Sequence, residues 1–184
     1  KRMSEDQLLN PNSYYGIYKA TTTMICKKIA FEKTLPIVTI RPFHVYGPYE
    51  EKTRLIPTLI KYLLMNKCPP LVSPKISRDL IYIDDVVDFY LKISNARKIN
   101  GEIFNIGSGK SYSLKNIFNK VREITESNVK PIWSTMQNRS WDQEIWVSNM
   151  NKSKNILNYK SKVSINAGIY RTVNWIKKHK EFYN

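Results

Sequence analysis

The chain has 184 residues, 42% of them apolar and 12% aromatic, which suits one packed domain or a large part of a bigger one and argues against disorder. A formal net charge of +15 invites a nucleic-acid reading, but 22 of the 30 basic residues are lysines scattered along the chain, with no recognition aromatics interleaved among them. The charge reads as a solvated lysine-rich surface, with anionic substrate groups met by particular arginines, and neither nucleic acid nor membrane is expected as a partner.

Residues 1–11 read as a polar lead-in. Asn12 or Ser13 can cap a helix running to about Lys33, with Ile17, Met24, Ile25, Ile29 and Phe31 on or near its apolar side. The β-branched run 36–40, bounded by Pro36, predicts a buried strand that leads into a loop over 41–48. Apolar spacing predicts a helix from Leu55 to Met65, followed by a Pro-rich connector over 68–74. Residues 78–83 read as a strand, with Asp84 and Asp85 capping a helix to about Ser94. Another strand over 102–106 ends in Gly107-Ser108-Gly109. Helices are expected over 113–126, 151–157 and 164–180, with a short strand near Ile132-Trp133. Lys177-Lys178-His179-Lys180 suits the C-terminus of the last helix, where cations complement the dipole. Strands alternating with helices predict an α/β layout with a parallel sheet.

Gly107-Ser108-Gly109-Lys110-Ser111 imitates a phosphate-binding P-loop, but Phe104 occupies the position where that loop needs its first glycine. These glycines are expected to make a tight strand-to-helix turn. No Gly-x-Gly-x-x-Gly dinucleotide fingerprint exists in the chain. Cys26 and Cys68 have neither metal-site spacing nor the number for a disulfide framework, so no metal is expected and a reducing cytoplasm is the simplest setting.

The stretch that carries chemistry is Asn12-Ser-Tyr-Tyr-Gly-Ile-Tyr-Lys19. Four residues separate Tyr15 from Lys19, so on a helix both project from one face. Phenols ionise near pH 10, and an ammonium held close favours the phenolate. Such a pair is the minimum equipment for taking a proton from an alcohol while a hydride leaves its carbon.

Taken in order, Tyr15-Gly-Ile-Tyr-Lys19, Arg41-Pro-Phe-His-Val-Tyr-Gly-Pro48, Arg78-Asp-Leu-Ile-Tyr-Ile-Asp-Asp85 and Phe104-Asn-Ile-Gly-Ser-Gly109 resemble the extended short-chain dehydrogenase/reductase family, the nucleotide-sugar epimerases and dehydratases. The resemblance runs from about Pro11 to about Trp175. It implies that Tyr15 is the acid/base, with Lys19 favouring its phenolate and holding the nicotinamide ribose; Tyr14, five residues from Lys19, fits less well. Tyr18 stands where the family commonly has Ser. Pro42, Phe43 and Val45 would touch the nicotinamide end of NAD or NADP. His44, Arg54, Arg78, Arg139 and Asp142 would meet the nucleotide-diphosphate sugar, with His44 in place of the usual Asn. A planar guanidinium suits that role because it meets phosphate oxygens two at a time.

The resemblance also implies the architecture: the C-terminal part of a Rossmann-like parallel sheet plus a smaller α/β substrate-binding lobe. As a single partial domain over 1–184, residues 1–50 would supply later Rossmann strands and helices with the Tyr-x-x-x-Lys pair, and 51–184 mainly the substrate-binding lobe with returning Rossmann elements. The family's Gly-rich pyrophosphate turn and its Ser/Thr partner to the tyrosine lie upstream of the tyrosine, where this chain, opening on Lys1, carries no counterpart. The expectation is therefore an incomplete polypeptide: inactive alone, of low stability, weak for NAD, and a homodimer when full length. The alternative reading is a non-catalytic module that binds a nucleotide sugar or another polyanion.

Overall fold

A computed structural model describes residues 2–137 and 144–183. Helix α1 (Tyr14–Glu32) begins at Ser13, whose hydroxyl accepts a hydrogen bond from the Gly16 amide at 3.1 Å. It buries only Thr23 and Ala30, seven residues apart on one narrow stripe. Ile17, Met24, Ile25, Ile29 and Phe31, on or near the apolar side of this helix, all remain exposed.

Strand β1 (Thr39–Pro42) starts later than its apolar run, because the Ile37 amide turns back to the Leu35 carbonyl at 2.8 Å and is lost to a ladder. Residues 44–46, expected in a loop, form strand β2 (His44–Tyr46). The chain pairs in parallel with β5 (Ile103–Ile106) as far as Phe43, whose amide donates to the Ile106 carbonyl. It then changes partner and pairs in parallel with β4 (Leu80–Tyr82), His44 facing Leu80.

A second sheet places β3 (Ser77–Arg78) between an antiparallel β6 (Tyr112–Ser113) and a parallel β7 (Ile145–Trp146). The single strand expected over 78–83 is thus divided at Asp79. Its amide donates to the Trp146 carbonyl and its carbonyl accepts from the His44 amide, both at 3.0 Å, so one residue belongs to each sheet. Ile132 and Trp133 form no strand. The Ile132 amide bonds Cys68 Sγ, and the Trp133 ring packs edge-on against Phe118, so the segment follows the 68–74 connector instead.

Helix α2 (Leu55–Leu64) buries Ile56, Leu59, Ile60 and Leu63, and α4 (Leu114–Ile124) buries Leu114, Ile117, Phe118 and Val121, both at the i, i+3, i+4, i+7 spacing of one face. They pack with α6 (Ile165–Lys178) around Tyr46, Leu80 and Tyr82. A second cluster joins α3 (Ile83–Ser94) to β4 and β5 through Phe89, Phe104 and Ile106, closed by Leu157 of α5 (Asn151–Leu157) and by Tyr159. Asp84 and Asp85 sit in the first turn of α3 and do not cap it; Tyr82 is the N-cap residue. Asp85 turns inward because two amides compete for it, those of Lys162 and Val163 at 2.9 and 3.0 Å.

Gly168 shows the packing limit of the first core. A Cβ there would overlap the Tyr46 hydroxyl. Gly168→Ala gains about 1 kcal/mol of helix propensity, but overpacking a filled core costs about 1–3 kcal/mol. The expected result in a denaturant titration is net destabilisation of up to about 2 kcal/mol; a stabilised variant would show that Tyr46 moves aside freely.

Candidate active site

The first turns of α1 carry three exposed tyrosines, Tyr14, Tyr15 and Tyr18, and the Ser13 cap sets where that turn begins. Only Tyr15 has Lys19 over it: the Lys19 Nζ lies 5.5 Å from the centre of the Tyr15 ring. The helix rise brings the two together as their spacing requires. Other tyrosines are held away from base chemistry. Burial pushes the phenols of Tyr46, Tyr82, Tyr112, Tyr159 and Tyr183 up, which favours their neutral forms.

Pro42, Phe43, His44 and Val45 lie consecutively where the chain passes from β5 to β4, at the carboxyl ends of β1 and β5. In open α/β sheets that end is where ligands bind. Arg54 is the N-cap residue of α2, and its guanidinium opposes the upward pull of burial on the Glu50 carboxyl. Arg78 is buried in the middle strand of the second sheet, its Nη1 donating to the Ser77 carbonyl at 3.0 Å. Arg139 and Asp142 lie outside the described residues. Among the described residues no three His, Cys, Asp or Glu side chains cluster to hold a metal, and no helix is long and apolar enough to cross a membrane.

Two acidic residues organise this region, and neither stands out as a candidate in the sequence. Glu5, within the apparent lead-in, is buried: its Oε1 accepts from the Asn105 amide at 2.8 Å, and its carbonyl accepts from Arg41 Nη1 at 3.2 Å. Met3 continues the attachment, donating to the Val147 carbonyl and accepting from the Asn149 amide. The lead-in is therefore docked, not trailing. Asp79 is 1% exposed and accepts five hydrogen bonds. Oδ1 receives the Ser108 amide and hydroxyl at 2.7 and 2.6 Å. Oδ2 receives the Gly109 amide at 3.0 Å and the Ser148 amide and hydroxyl at 3.0 and 2.5 Å. A Cβ on Gly107 would overlap this carboxylate, so the glycine permits the close approach. The Gly-Ser-Gly amides that imitate a P-loop are thus committed to an internal carboxylate. A charge beside Arg78 at the head of the apolar run Leu80–Ile83 was the available signal, since a buried carboxylate requires donors.

Parallel strand pairs flanked by helices, with a tyrosine and lysine on one exposed helical face, define a Rossmann-like α/β protein. The chain belongs to the NAD dependent epimerase/dehydratase family, whose model matches residues 1–107. It is 34% identical over 134 residues to CDP-abequose synthase of Salmonella muenchen, covering 72% of this chain and 45% of that relative. With human dTDP-D-glucose 4,6-dehydratase it shares 25% identity over 189 residues, covering 100% of this chain and 53% of the other. Among solved structures it resembles UDP-glucuronic acid 4-epimerase from Bacillus cereus in complex with UDP-glucuronic acid and NAD, at 27% identity and a TM-score of 0.89, covering 97% of this chain and 57% of that one. The chain spans about half the length of the curated relatives it matches.

Proposed function

We propose that this chain is the catalytic-tyrosine and substrate-binding portion of an NAD(P)-dependent nucleotide-sugar epimerase or dehydratase. The observation that carries the reading is the Tyr15–Lys19 pair, exposed on one face of α1 with the ammonium over the ring. Tyr15 accepts the proton of a sugar hydroxyl, and Lys19 stabilises the charge left on the phenol while reaching the nicotinamide ribose. A bound nicotinamide cofactor supplies the hydride acceptor. Pro42, Phe43 and Val45 line its nicotinamide end. His44, Arg54, Arg78, Arg139 and Asp142 hold the nucleotide sugar, the arginines by bidentate contacts to the diphosphate. Residues 1–50 belong to the Rossmann part and 51–184 mainly to the substrate-binding lobe.

The Gly-Ser-Gly turn that follows β5 does not suit the cofactor's pyrophosphate, because it spends its Ser108 and Gly109 amides on Asp79. The pyrophosphate-binding turn belongs to sequence outside these 184 residues. That assignment agrees with a β1 that, among the described residues, pairs on one side only, with β5, and with the bare apolar side chains of α1. A second reading, a nucleotide-sugar-binding module without turnover, keeps the arginines and dispenses with Tyr15.

Calorimetry on this chain decides part of the question: UDP, CDP or dTDP sugars are expected to bind, and NAD to bind only weakly. The rest is product analysis with a panel of nucleotide sugars after a dinucleotide-binding half is supplied on the same polypeptide. A new sugar epimer or a 4-keto-6-deoxy product establishes the enzyme. Binding of the nucleotide sugar without any product, in a protein that holds NAD tightly, leaves the module.

A further inference from the structure

Two segments that read separately in the sequence meet at one carboxylate, and a third holds the same residue's carbonyl. Asp79 takes donors from the Gly107–Gly109 turn after β5 and from Ser148 after β7, while its own carbonyl holds the His44 amide. Its chain neighbour is Arg78, whose strand β3 lies in the other sheet. Ser148 in turn carries the docked N-terminal segment, bridging to Met3, and Ser153 of α5 donates to the Asn105 carbonyl at 2.8 Å.

Resting on the nucleotide-sugar reading above, we propose that Asp79 is a positioning residue of the substrate site: it fixes the separation between Arg78, on the diphosphate side, and the strand that begins at His44, whose Val45 is on the nicotinamide side. The physical argument is one of rigidity. Asp79 is the single residue at which the chain leaves the second sheet and enters the first, so any rotation there swings Arg78 relative to His44. A backbone hinge of this kind stays fixed only when surrounding groups over-determine it, and here the amide, the carbonyl and both carboxylate oxygens are all engaged. Five donors converge on two oxygens, so no neutral side chain of the same size can replace the carboxylate. An Asn amide group would aim hydrogens at one of two sets of N–H and O–H donors. Misplacing a bidentate phosphate contact by about 1 Å is enough to lose most of it.

The test is calorimetric binding of UDP, CDP or dTDP, whichever the wild-type chain holds most tightly, measured well below the melting temperature of each variant. Asp79→Asn is expected to weaken that binding by about 30-fold, and Ser148→Ala, which keeps its amide, by about 3-fold. Arg78→Gln combined with Asp79→Asn is expected to lose no more than Arg78→Gln alone, because Asp79 acts through Arg78. A merely structural role would lower the melting temperature and leave the losses multiplicative. Unchanged nucleotide affinity in folded Asp79→Asn overturns the proposal, as do multiplicative losses. If Asp79→Asn does not fold, Ser148→Ala and Ser108→Ala decide: both binding as wild type overturns it. A wild-type chain that binds none of the three nucleotides overturns the nucleotide-sugar reading and this proposal with it, whereas binding that survives the replacements overturns this proposal alone.

Discussion

Tyr15→Phe is expected to lower turnover of the nucleotide sugar by about 10³-fold in the protein assembled with its dinucleotide-binding half, while sugar-nucleotide affinity changes less than about 3-fold. Phenylalanine keeps the ring and its place on α1 and removes only the oxygen proposed to take the proton, so the loss is expected to fall on the chemical step. Tyr14→Phe and Tyr18→Phe are the controls. Both side chains are as exposed as Tyr15, so exposure does not distinguish the three, and only the lysine does. Each control is expected to retain turnover within a few-fold. Lys19→Ala is expected to lose turnover and cofactor affinity together, because the ammonium is proposed to serve both the phenol and the ribose. The decisive comparison is the rate of product formation at saturating substrate in the four variants. Equal losses at Tyr14 and Tyr15 would remove the reason for choosing Tyr15, and full activity in Tyr15→Phe would end the catalytic reading.

The second large effect lies away from that pair. Glu50, after β2, lines a cleft of about 200 Å³ with Tyr49, Lys52, Phe182 and Tyr183. Its Oε2 is buried with no hydrogen-bond partner among the described residues. Burial pushes the Glu50 carboxyl up to about 8, against the opposing pull of Arg54 and the Gly47 amide. In the unfolded chain this group ionises in the ordinary carboxylate range, between about pH 4 and 5. Between there and pH 8 the folded protein holds a proton that the unfolded chain has released. The contribution of this group to stability is therefore greatest on the acid side, falls as pH rises through this window, and is fully lost above pH 8.

Glu50→Gln keeps the shape and removes the titration. Its advantage over wild type is expected to be negligible near pH 4 and to grow to about 2–4 kcal/mol at pH 9, the conversion being reduced because the cleft is open on one side. For a chain of this size that is a rise in melting temperature of about 5–12 °C. Parallel melting curves against pH for the two proteins would show that Glu50 is already ionised and satisfied in the fold. The other side chains at the junction argue against that outcome: Tyr49 packs on Trp175, and Trp175 stacks on His179 at 3.6 Å, which leaves the carboxyl beside aromatic rings.

Periodicity was sufficient for the helices, since four apolar residues on one face of α2 or α4 can be buried in only one way. It was sufficient for the Tyr15–Lys19 geometry too, because residues four apart on a helix share a face wherever the helix lies. The family resemblance rested on the same kind of local signal, runs of eight or fewer residues in a set order. Strand boundaries were less legible. Whether residues 44–46 are loop or strand depends on Asp79 and Leu80 standing beside them, and whether 132–133 or 145–146 joins β3 depends on which run finds Ser77. The apolar side of α1 is bare, because burial needs a partner surface and a helix pattern does not say whether one is present.

What the amino-acid order determined by itself was local: the helices, the turn glycines, and the tyrosine and lysine on one face. Only the tertiary structure decided that the chain changes sheets at Asp79, that Glu5 reaches Asn105 across a sequence separation of 100 residues, and that the P-loop-like amides point at a carboxylate. The reason is that a short-range pattern sets backbone conformation and side-chain direction within a few residues. A buried charge instead selects its donors from whatever the folded chain brings within about 3 Å, and no spacing rule records that choice.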